Sequence, residues 1–196
     1  SILKSHLEKA NICFLHAPEF HPAMKAVGPT RKALALKTFF NMLGPLVNPS
    51  SPQNLLLGTF NLEIARLYHY ILQDEKSNYG IIHALDGYDE ISLTSEFKLF
   101  TKSGEELIHP EDIGQKRILQ TDIYGGDSVT TAAKIFKNII EGKGTKAQNN
   151  VVLTNAAFAL KIIDVNKTFD EAFSLAKDSL FGGKASQCLQ QLITNC

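Results

Sequence analysis

A strand, a helix and a second strand in direct succession constrain the fold of this chain more than any other feature. Two apolar runs, QNLLLGTF at residues 53–60 and YGIIHAL at residues 79–85, have the length and composition of buried strands. Between them, residues 61–76 carry an apolar stripe at helical spacing, and Asn61 is a suitable N-cap. Such a unit predicts two parallel strands joined by a right-handed crossover.

The remaining sequence predicts further elements around this unit. Residues 1–11 have the pattern of an amphipathic helix, and NICFLHA at residues 11–17 has that of another buried strand. Residues 96–110 alternate on both sides of a Ser-Gly pair, as a hairpin does. Four more helices are predicted, at residues 128–142, 149–163, 168–183 and 184–195. A strand that starts at Val151 is the alternative to the second of these helices.

These elements predict the α/β class, with a mainly parallel or mixed sheet covered by helices on both faces in three layers. The length of 196 residues suits a single domain over residues 1–196. The formal net charge is zero, which argues against nucleic-acid binding driven by charge, and the apolar runs are too short to span a membrane. The three scattered cysteines show neither metal-ligand spacing nor a disulfide framework, so we expect cytoplasmic thiols.

An acidic loop follows the strand predicted at residues 79–85. The sequence LDGYDEISLT places Asp86, Asp89 and Glu90 just beyond the strand, where open α/β sheets bind their ligands. Clustered carboxylates repel each other unless a cation neutralises them, and Mg²⁺ needs only one or two carboxylates beside substrate phosphates. The sequence therefore indicates a magnesium site, although an acidic surface turn explains the same residues.

A second polar stretch runs through residues 16–49. It contains several basic side chains among prolines, and Arg31 lies near the start of a predicted helix. A cation in a first helical turn opposes the helix dipole, which indicates another partner such as a carboxylate held by two hydrogen bonds. The alternative is an arginine exposed to solvent, which is the common case.

Four motifs together resemble the anthranilate phosphoribosyltransferase family. They are APEFHPA, VGPTRKAL, FNMLGPLVNP and DGYDEIS, which match A-P-x-x-H-P-A, V-x-x-x-R-x-x-L, F-N-x-L-G-P-L-x-N-P and D-G-x-D-E-x-S, in the family's order. The resemblance, which also includes NAAFAL, runs from about residue 12 to about residue 190. It implies a catalytic domain of the nucleoside phosphorylase and phosphoribosyltransferase type.

The resemblance implies a reaction and its participants. Anthranilate attacks the anomeric carbon of 5-phosphoribosyl 1-pyrophosphate (PRPP), pyrophosphate leaves, and Mg²⁺ assists, in a step of tryptophan biosynthesis. The resemblance assigns Asp89 and Glu90 to the metal. Asp86 also matches a family position, and we expect it to shape the loop. Residues matching the anthranilate site are Arg31, Ala17, Pro18 and Met24. No residue is expected to act as a catalytic base, because the aromatic amine is already neutral at pH 7.

The chain also departs from the family pattern. The G-T-G-G-D loop that binds pyrophosphate, the N-x-S-T segment and the K-H-G-N segment are not found in it. We therefore expect the chain to be the C-terminal catalytic domain of a longer, homodimeric enzyme, without the N-terminal helical domain and inactive alone. Two alternatives share the fold: a pyrimidine-nucleoside phosphorylase, and a relative without enzyme activity that binds nucleic acid.

Overall fold

The computed structural model describes residues 2–20 and 43–194. In chain order its elements are α1 Ile2–Ala10, α2 Ala17–Phe20, a 3₁₀ helix Gly44–Val47, β1 Asn54–Gly58, α3 Leu62–Leu72, β2 Asn78–Ala84, β3 Phe97–Thr101, β4 Gly104–Ile108, 3₁₀ helices Pro110–Ile113 and Gln120–Ile123, α4 Val129–Ile140, α5 Lys146–Ile163, α6 Phe169–Phe181 and α7 Lys184–Thr194. None of the described helices has both the length and the hydropathy of a membrane span.

The chain divides into two compact units. One consists of Ser1–Pro52 with Cys188–Cys196, and the other of Gln53–Gln187. Within the first unit, the Cys188 thiol donates a hydrogen bond to the Ala10 carbonyl (3.0 Å) and so joins α7 to α1. The second unit contains the whole described sheet. The prediction of one domain over residues 1–196 stays a prediction.

The strand–helix–strand unit is confirmed. Strands β1 and β2 pair in parallel, with Asn54 opposite Asn78 and Gly58 opposite Ile82. Helix α3 connects them, and its N-cap is the predicted Asn61, whose side-chain oxygen accepts a hydrogen bond from the Ile64 N–H (2.9 Å). A cap of this kind satisfies one of the N–H groups that the first helical turn leaves unpaired.

The sheet is mixed, with the strand order β1-β2-β3-β4. The hairpin predicted at residues 96–110 is confirmed as β3 and β4, which pair antiparallel. Strand β3 also pairs antiparallel with β2. The described sheet therefore has one parallel and two antiparallel pairings, because the hairpin supplies half of its strands.

Helices cover both faces of β2, as predicted. On one face, the Tyr79 hydroxyl hydrogen-bonds His69 of α3 (2.9 Å). On the other, a Cβ added to Gly80 would lie 2.7 Å from Cδ1 of Ile162 in α5, so the glycine allows this helix to approach closely. The core on the α5 face consists of buried side chains from the sheet, the following loop and the helix: Ile82, Ala84, Ile91, Leu93, Phe97, Leu99, Ile108 and Phe158.

The helices of the last third are confirmed, with small shifts at their ends. Ser128 caps α4, and Thr168 and Glu171 form the predicted capping box of α6. Helix α5 is continuous from Lys146 to Ile163 and carries several buried residues, so the alternative of a strand starting at Val151 is wrong.

The strand predicted at residues 11–17 is wrong. Residues 12–16 form neither helix nor strand, and residue 17 begins α2. Asn11 adopts a left-handed conformation (φ 55°), which asparagine tolerates after a helix end. The side chains of Ile12 and Phe14 are 48% and 74% exposed, which is incompatible with a strand buried on both faces.

Candidate functional site

The acidic loop, residues 85–96, leaves the carboxyl end of β2 through a tight turn. The Ala84 N–H donates to the Tyr88 carbonyl (3.0 Å), and the Gly87 N–H donates to the Ala84 carbonyl (2.9 Å). Gly87 has φ +101°, a conformation that other residues rarely adopt, so the turn requires glycine at this position. The turn places Asp89 and Glu90 just past the end of the strand.

Asp86 uses its carboxylate to close the loop on itself. The Ser95 hydroxyl donates to its Oδ1 (2.8 Å), and Oδ2 accepts hydrogen bonds from the Thr94 hydroxyl and from Nε2 of Gln120 (3.4 Å). Burial raises the pKa of the Asp86 carboxyl, but the hydrogen bonds outweigh it and hold this pKa below its ordinary value. Asp86 therefore stabilises the loop, as we expect from the sequence.

A contact with β1 fixes the backbone of the acid pair on one side. A Cβ added to Gly58 would lie 1.8 Å from the carbonyl oxygen of Asp89. Only a residue without a side chain leaves room for this approach. The end of β1 and the start of the acid pair are therefore in direct backbone contact.

A side chain of α5 fixes the backbone on the other side. Oδ1 of Asn155 accepts a hydrogen bond from the Ile91 N–H (3.0 Å), and its Nδ2 donates to the Ile91 carbonyl (2.9 Å). Nδ2 also lies 2.9 Å from the carbonyl of Val151, one helical turn earlier. One side chain therefore pairs with both backbone groups of the residue that follows Glu90.

The loop is also anchored in the core. Ile91 and Leu93 are fully buried, and the Leu93 carbonyl accepts a hydrogen bond from the Ile118 N–H (3.0 Å). Leu93 has φ +60°, a strained conformation for a residue with a side chain. Such strain costs about 1–3 kcal/mol and persists where the surroundings hold the chain firmly, often at functional sites.

An ion pair holds the far end of the loop. Oε1 of Glu96 lies 2.6 Å from Nη2 of Arg117 and 3.4 Å from Nδ1 of His109. The hydrogen bond from Arg117 lowers the pKa of the Glu96 carboxyl, so this side chain is ionised at neutral pH. Glu96, the last of the four acids in the loop, is therefore engaged, as is the first, Asp86.

The carboxylates of Asp89 and Glu90, unlike those of Asp86 and Glu96, have no partner among the described residues. Both side chains are exposed, and neither makes a hydrogen bond or ion pair with any other residue in ranges 2–20 and 43–194. Two adjacent hard oxygen ligands on a fixed backbone fit Mg²⁺, which takes the rest of its six positions from water and phosphate. No group of three or more His, Cys, Asp and Glu side chains could hold a metal in the described part of the chain. A metal here would therefore bind through the pair and its substrate.

The predicted anthranilate residues stay predictions. Arg31 and Met24 lie outside the described residues, and Ala17 and Pro18 form the start of α2. Sequence reasoning missed Asn155 and Gly58 as parts of the loop's support. The available signal for Asn155 was an asparagine inside an apolar helical stretch, where this residue is a poor helix former.

Comparison with known sequences identifies relatives. A profile described as "Glycosyl transferase family, a/b domain" matches residues 2–186. An anthranilate phosphoribosyltransferase of Flavobacterium johnsoniae is 56% identical over 192 residues, which are 98% of this chain and 58% of the relative. One from Bacteroides thetaiotaomicron is 50% identical over 191 residues, 97% of this chain and again 58% of the relative. The chain thus spans little more than half the length of these relatives.

Solved structures share the fold. An anthranilate phosphoribosyltransferase from Thermus thermophilus superposes with a TM-score of 0.87 at 27% identity, over 100% of this chain and 59% of that one. One from Saccharomyces cerevisiae in complex with PRPP and Mg superposes with a TM-score of 0.79 at 24% identity, over 89% of this chain and 50% of that one. The predicted α/β fold is confirmed.

Proposed function

The chain belongs to the glycosyl transferase family with an a/b domain, and we propose that it forms part of an enzyme that transfers the phosphoribosyl group of PRPP to anthranilate. The observation that carries the proposal is the pair Asp89 and Glu90, two carboxylates without partners among the described residues on a backbone fixed from both sides. Relatives at 56% and 50% identity bear the name of this activity, which supports the choice of substrates.

The pair suits the charge of the proposed substrate. Pyrophosphate departs as a polyanion, and a bound Mg²⁺ would neutralise charge on it while the glycosidic bond breaks. Asp89 and Glu90 would hold the cation through their carboxylate oxygens. The fixed backbone beneath them keeps both side chains at the carboxyl end of β2, so little ordering is required when substrate binds.

The amine acceptor needs placement more than activation. We propose that Arg31 grips the carboxylate of anthranilate and that Ala17, Pro18 and Met24 line the channel for its ring. The support is the match of the motifs APEFHPA and VGPTRKAL to the family pattern. No general base is proposed, since the aromatic amine is neutral and can attack as it is.

Replacing Arg31 by Ala tests the acceptor site. Loss of a charged hydrogen-bonding partner costs about 1.5–3 kcal/mol, so we expect the KM for anthranilate to rise at least tenfold. The KM for PRPP should change much less, and steady-state kinetics with each substrate varied in turn will separate the two. An unchanged KM for anthranilate would assign Arg31 a structural role only.

The proposal also covers the cellular location of the protein and the larger enzyme to which these residues belong. Cys13 and Cys188 are free thiols, which supports a reducing, cytoplasmic location. We also propose that residues 1–196 act as the catalytic α/β domain of a homodimeric enzyme and are inactive without further sequence, since the G-T-G-G-D motif is not found among them.

The direct test measures formation of phosphoribosyl-anthranilate from anthranilate, PRPP and Mg²⁺. The 196-residue chain and the polypeptide expressed from its complete coding sequence are assayed side by side, with loss of anthranilate fluorescence as the signal. Turnover by the complete polypeptide that depends on Mg²⁺ is the expected result. A complete polypeptide that binds PRPP but never consumes anthranilate would overturn the proposed function, and turnover by the 196 residues alone would overturn their inactivity.

A further inference from the structure

Asn155 is the side chain that connects the acid pair to the helical layer. It lies in the middle of α5, 64 residues from its partner Ile91 in the sequence. A planar amide donates and accepts at once, and here it pairs with both the N–H and the carbonyl of one residue. The two distances, 3.0 and 2.9 Å, are those of good hydrogen bonds.

The position of these hydrogen bonds limits the freedom of Glu90. Ile91 follows Glu90 directly, and its own side chain is fully buried, so its backbone is held by packing and by the amide together. Before Glu90, the Asp89 carbonyl lies against Gly58 with no room for a Cβ. The peptide groups on both sides of Glu90 are therefore fixed, while its carboxylate has no partner among the residues that the structure describes.

Stability alone does not require an asparagine here. Asn within a helix costs about half a kcal/mol relative to Ala, and β-sheet loops are commonly held by their own backbone turns. The loop already has such a turn at Gly87 and a closing carboxylate at Asp86. The asparagine adds a constraint only at the position next to the acid pair.

We propose that Asn155 is a positioning residue for the divalent cation, setting the direction in which Asp89 and Glu90 present their carboxylates. This inference rests on the proposed function, because the cation is the Mg²⁺ that would bind together with PRPP. Asn155 itself touches neither carboxylate, so its effect is indirect, through the backbone of Ile91. Residues that hydrogen-bond metal ligands directly change metal affinity about 10- to 100-fold when they are replaced, so we expect an effect through the backbone to lie at the lower end of that range.

The test is a titration of the complete polypeptide with Mn²⁺, a paramagnetic substitute for Mg²⁺, followed by electron paramagnetic resonance with and without PRPP. Asn155→Ala should weaken Mn²⁺ binding about tenfold. Asn155→Ser is the second variant, because its hydroxyl can still bond the Val151 carbonyl but is too short to reach Ile91. It should show the same loss even if the alanine variant folds poorly.

Asn150→Ala is the matched control. Asn150 lies on the same helix and makes a comparable side-chain hydrogen bond, from Nδ2 to Oε1 of Gln115 (3.1 Å), which is not a residue of the acidic loop. Thermal melts should show destabilisation for both asparagine positions, whereas only the Asn155 variants should bind Mn²⁺ more weakly. A purely structural role predicts equal Mn²⁺ affinity in wild type, Asn150→Ala and the Asn155 variants, and that result would overturn the inference.

The titration separates this inference from the proposed function. Weaker Mn²⁺ binding in the Asn155 variants of a protein that never converts anthranilate would leave the inference standing and remove the proposed substrate. Full anthranilate turnover with unchanged Mn²⁺ affinity in those variants would support the proposed function and overturn the positioning role of Asn155.

Discussion

The two connections at the ends of β3 are built on different principles. The turn from β3 to β4 closes at the Thr101–Gly104 pair, with a local hydrogen bond from the Ser103 N–H to the Thr101 hydroxyl (3.2 Å). The acidic loop before β3 is held by groups from β1, from α5 and from the 3₁₀ helix Gln120–Ile123. The turn has one contact that is distant in sequence, an exposed hydrogen bond from Lys102 Nζ to the Lys76 carbonyl (3.2 Å), whereas the loop is fixed by buried or backbone contacts with several distant elements.

Glycine illustrates the same difference. Gly104 in the turn has φ +122° and no atom within 4 Å of an added Cβ, so glycine is needed there for its backbone conformation and not for space. Gly58 has no such conformation, but a Cβ there would collide with the Asp89 carbonyl. The glycine that supports the acid pair is needed for space. A loop that is supported from outside, yet leaves two carboxylates without described partners, has the character of a binding site.

Removing one of these carboxylates should have the largest effect on activity and almost none on stability. In the complete polypeptide, Glu90→Gln keeps the shape of the side chain but removes a charged ligand of the proposed metal site, so we expect kcat/KM to fall about 100-fold or more, with a higher requirement for Mg²⁺. The free energy of unfolding should stay within about 0.5 kcal/mol of wild type, because the side chain is exposed.

Glu106→Gln makes the same chemical change on an exposed position of β4, next to the turn. It should leave kcat/KM and the Mg²⁺ requirement unchanged. Both variants are assayed over a series of Mg²⁺ concentrations. If both have the kcat/KM and the Mg²⁺ requirement of wild type, the loop and the turn differ in structure only, and Glu90 has no role in activity.

Gly58→Ala should have the next largest effect, on stability and on the site together. The new methyl group cannot coexist with the Asp89 carbonyl at 1.8 Å, so the loop backbone has to move. Forced overpacking costs about 1–3 kcal/mol, which chemical denaturation will measure. Mn²⁺ affinity should fall as well, because the displaced residue is one of the acid pair.

Gly104→Ala is the corresponding change in the turn. It strains a positive φ and should cost about 1 kcal/mol or more, but nothing lies close enough to be displaced. Its Mn²⁺ affinity should equal that of wild type. Equal loss of metal binding in both alanine variants would show that general loss of stability, and not displacement of the acid pair, controls the site.

The same distinction explains what the sequence could and could not predict. Helix α3, its Asn61 cap and the capping box at Thr168 depend on residues close together in the chain, and the local pattern was sufficient. The acid pair was visible because carboxylates cluster after a strand. The residues that support the loop were not visible in the sequence, because Asn155 contacts Ile91 across 64 residues and no local pattern predicts such a contact.

The wrong strand at residues 11–17 has a related cause. An apolar run records only that the segment is hydrophobic, while a strand also needs a partner to accept its hydrogen bonds. Asn11, in a left-handed conformation directly after α1, directs the chain out of helical geometry, and residues 12–16 then take up no regular structure. The anthranilate residues rest on the motif resemblance, and Arg31 and Met24 lie outside the described residues.

The smallest expected effect concerns Asp86, the acid that closes the loop. Its lowered pKa means that folding favours the charged form, so its contribution to stability is complete above the ordinary pKa of 3.8 and is lost as the pH falls through the folded value. Asp86→Asn should therefore flatten the fall in unfolding free energy below about pH 5. The difference should not exceed about 1 kcal/mol, because water screens this exposed group.

Urea unfolding of wild type and Asp86→Asn between pH 3 and pH 7 gives the measurement. Carboxyl groups with lowered pKa that lie outside this loop, such as Glu171, destabilise both proteins equally in acid, so the comparison isolates Asp86 and the charges that interact with it. Ser95→Ala removes the hydrogen bond to Oδ1 while leaving the charge, and it should remove part of the same pH dependence. Parallel curves for all three proteins would mean that the Gly87 turn and the distant supports hold the acidic loop without help from Asp86. The loop would then depend on its backbone turn and its long-range contacts, and those long-range contacts would be its main difference from the turn between β3 and β4.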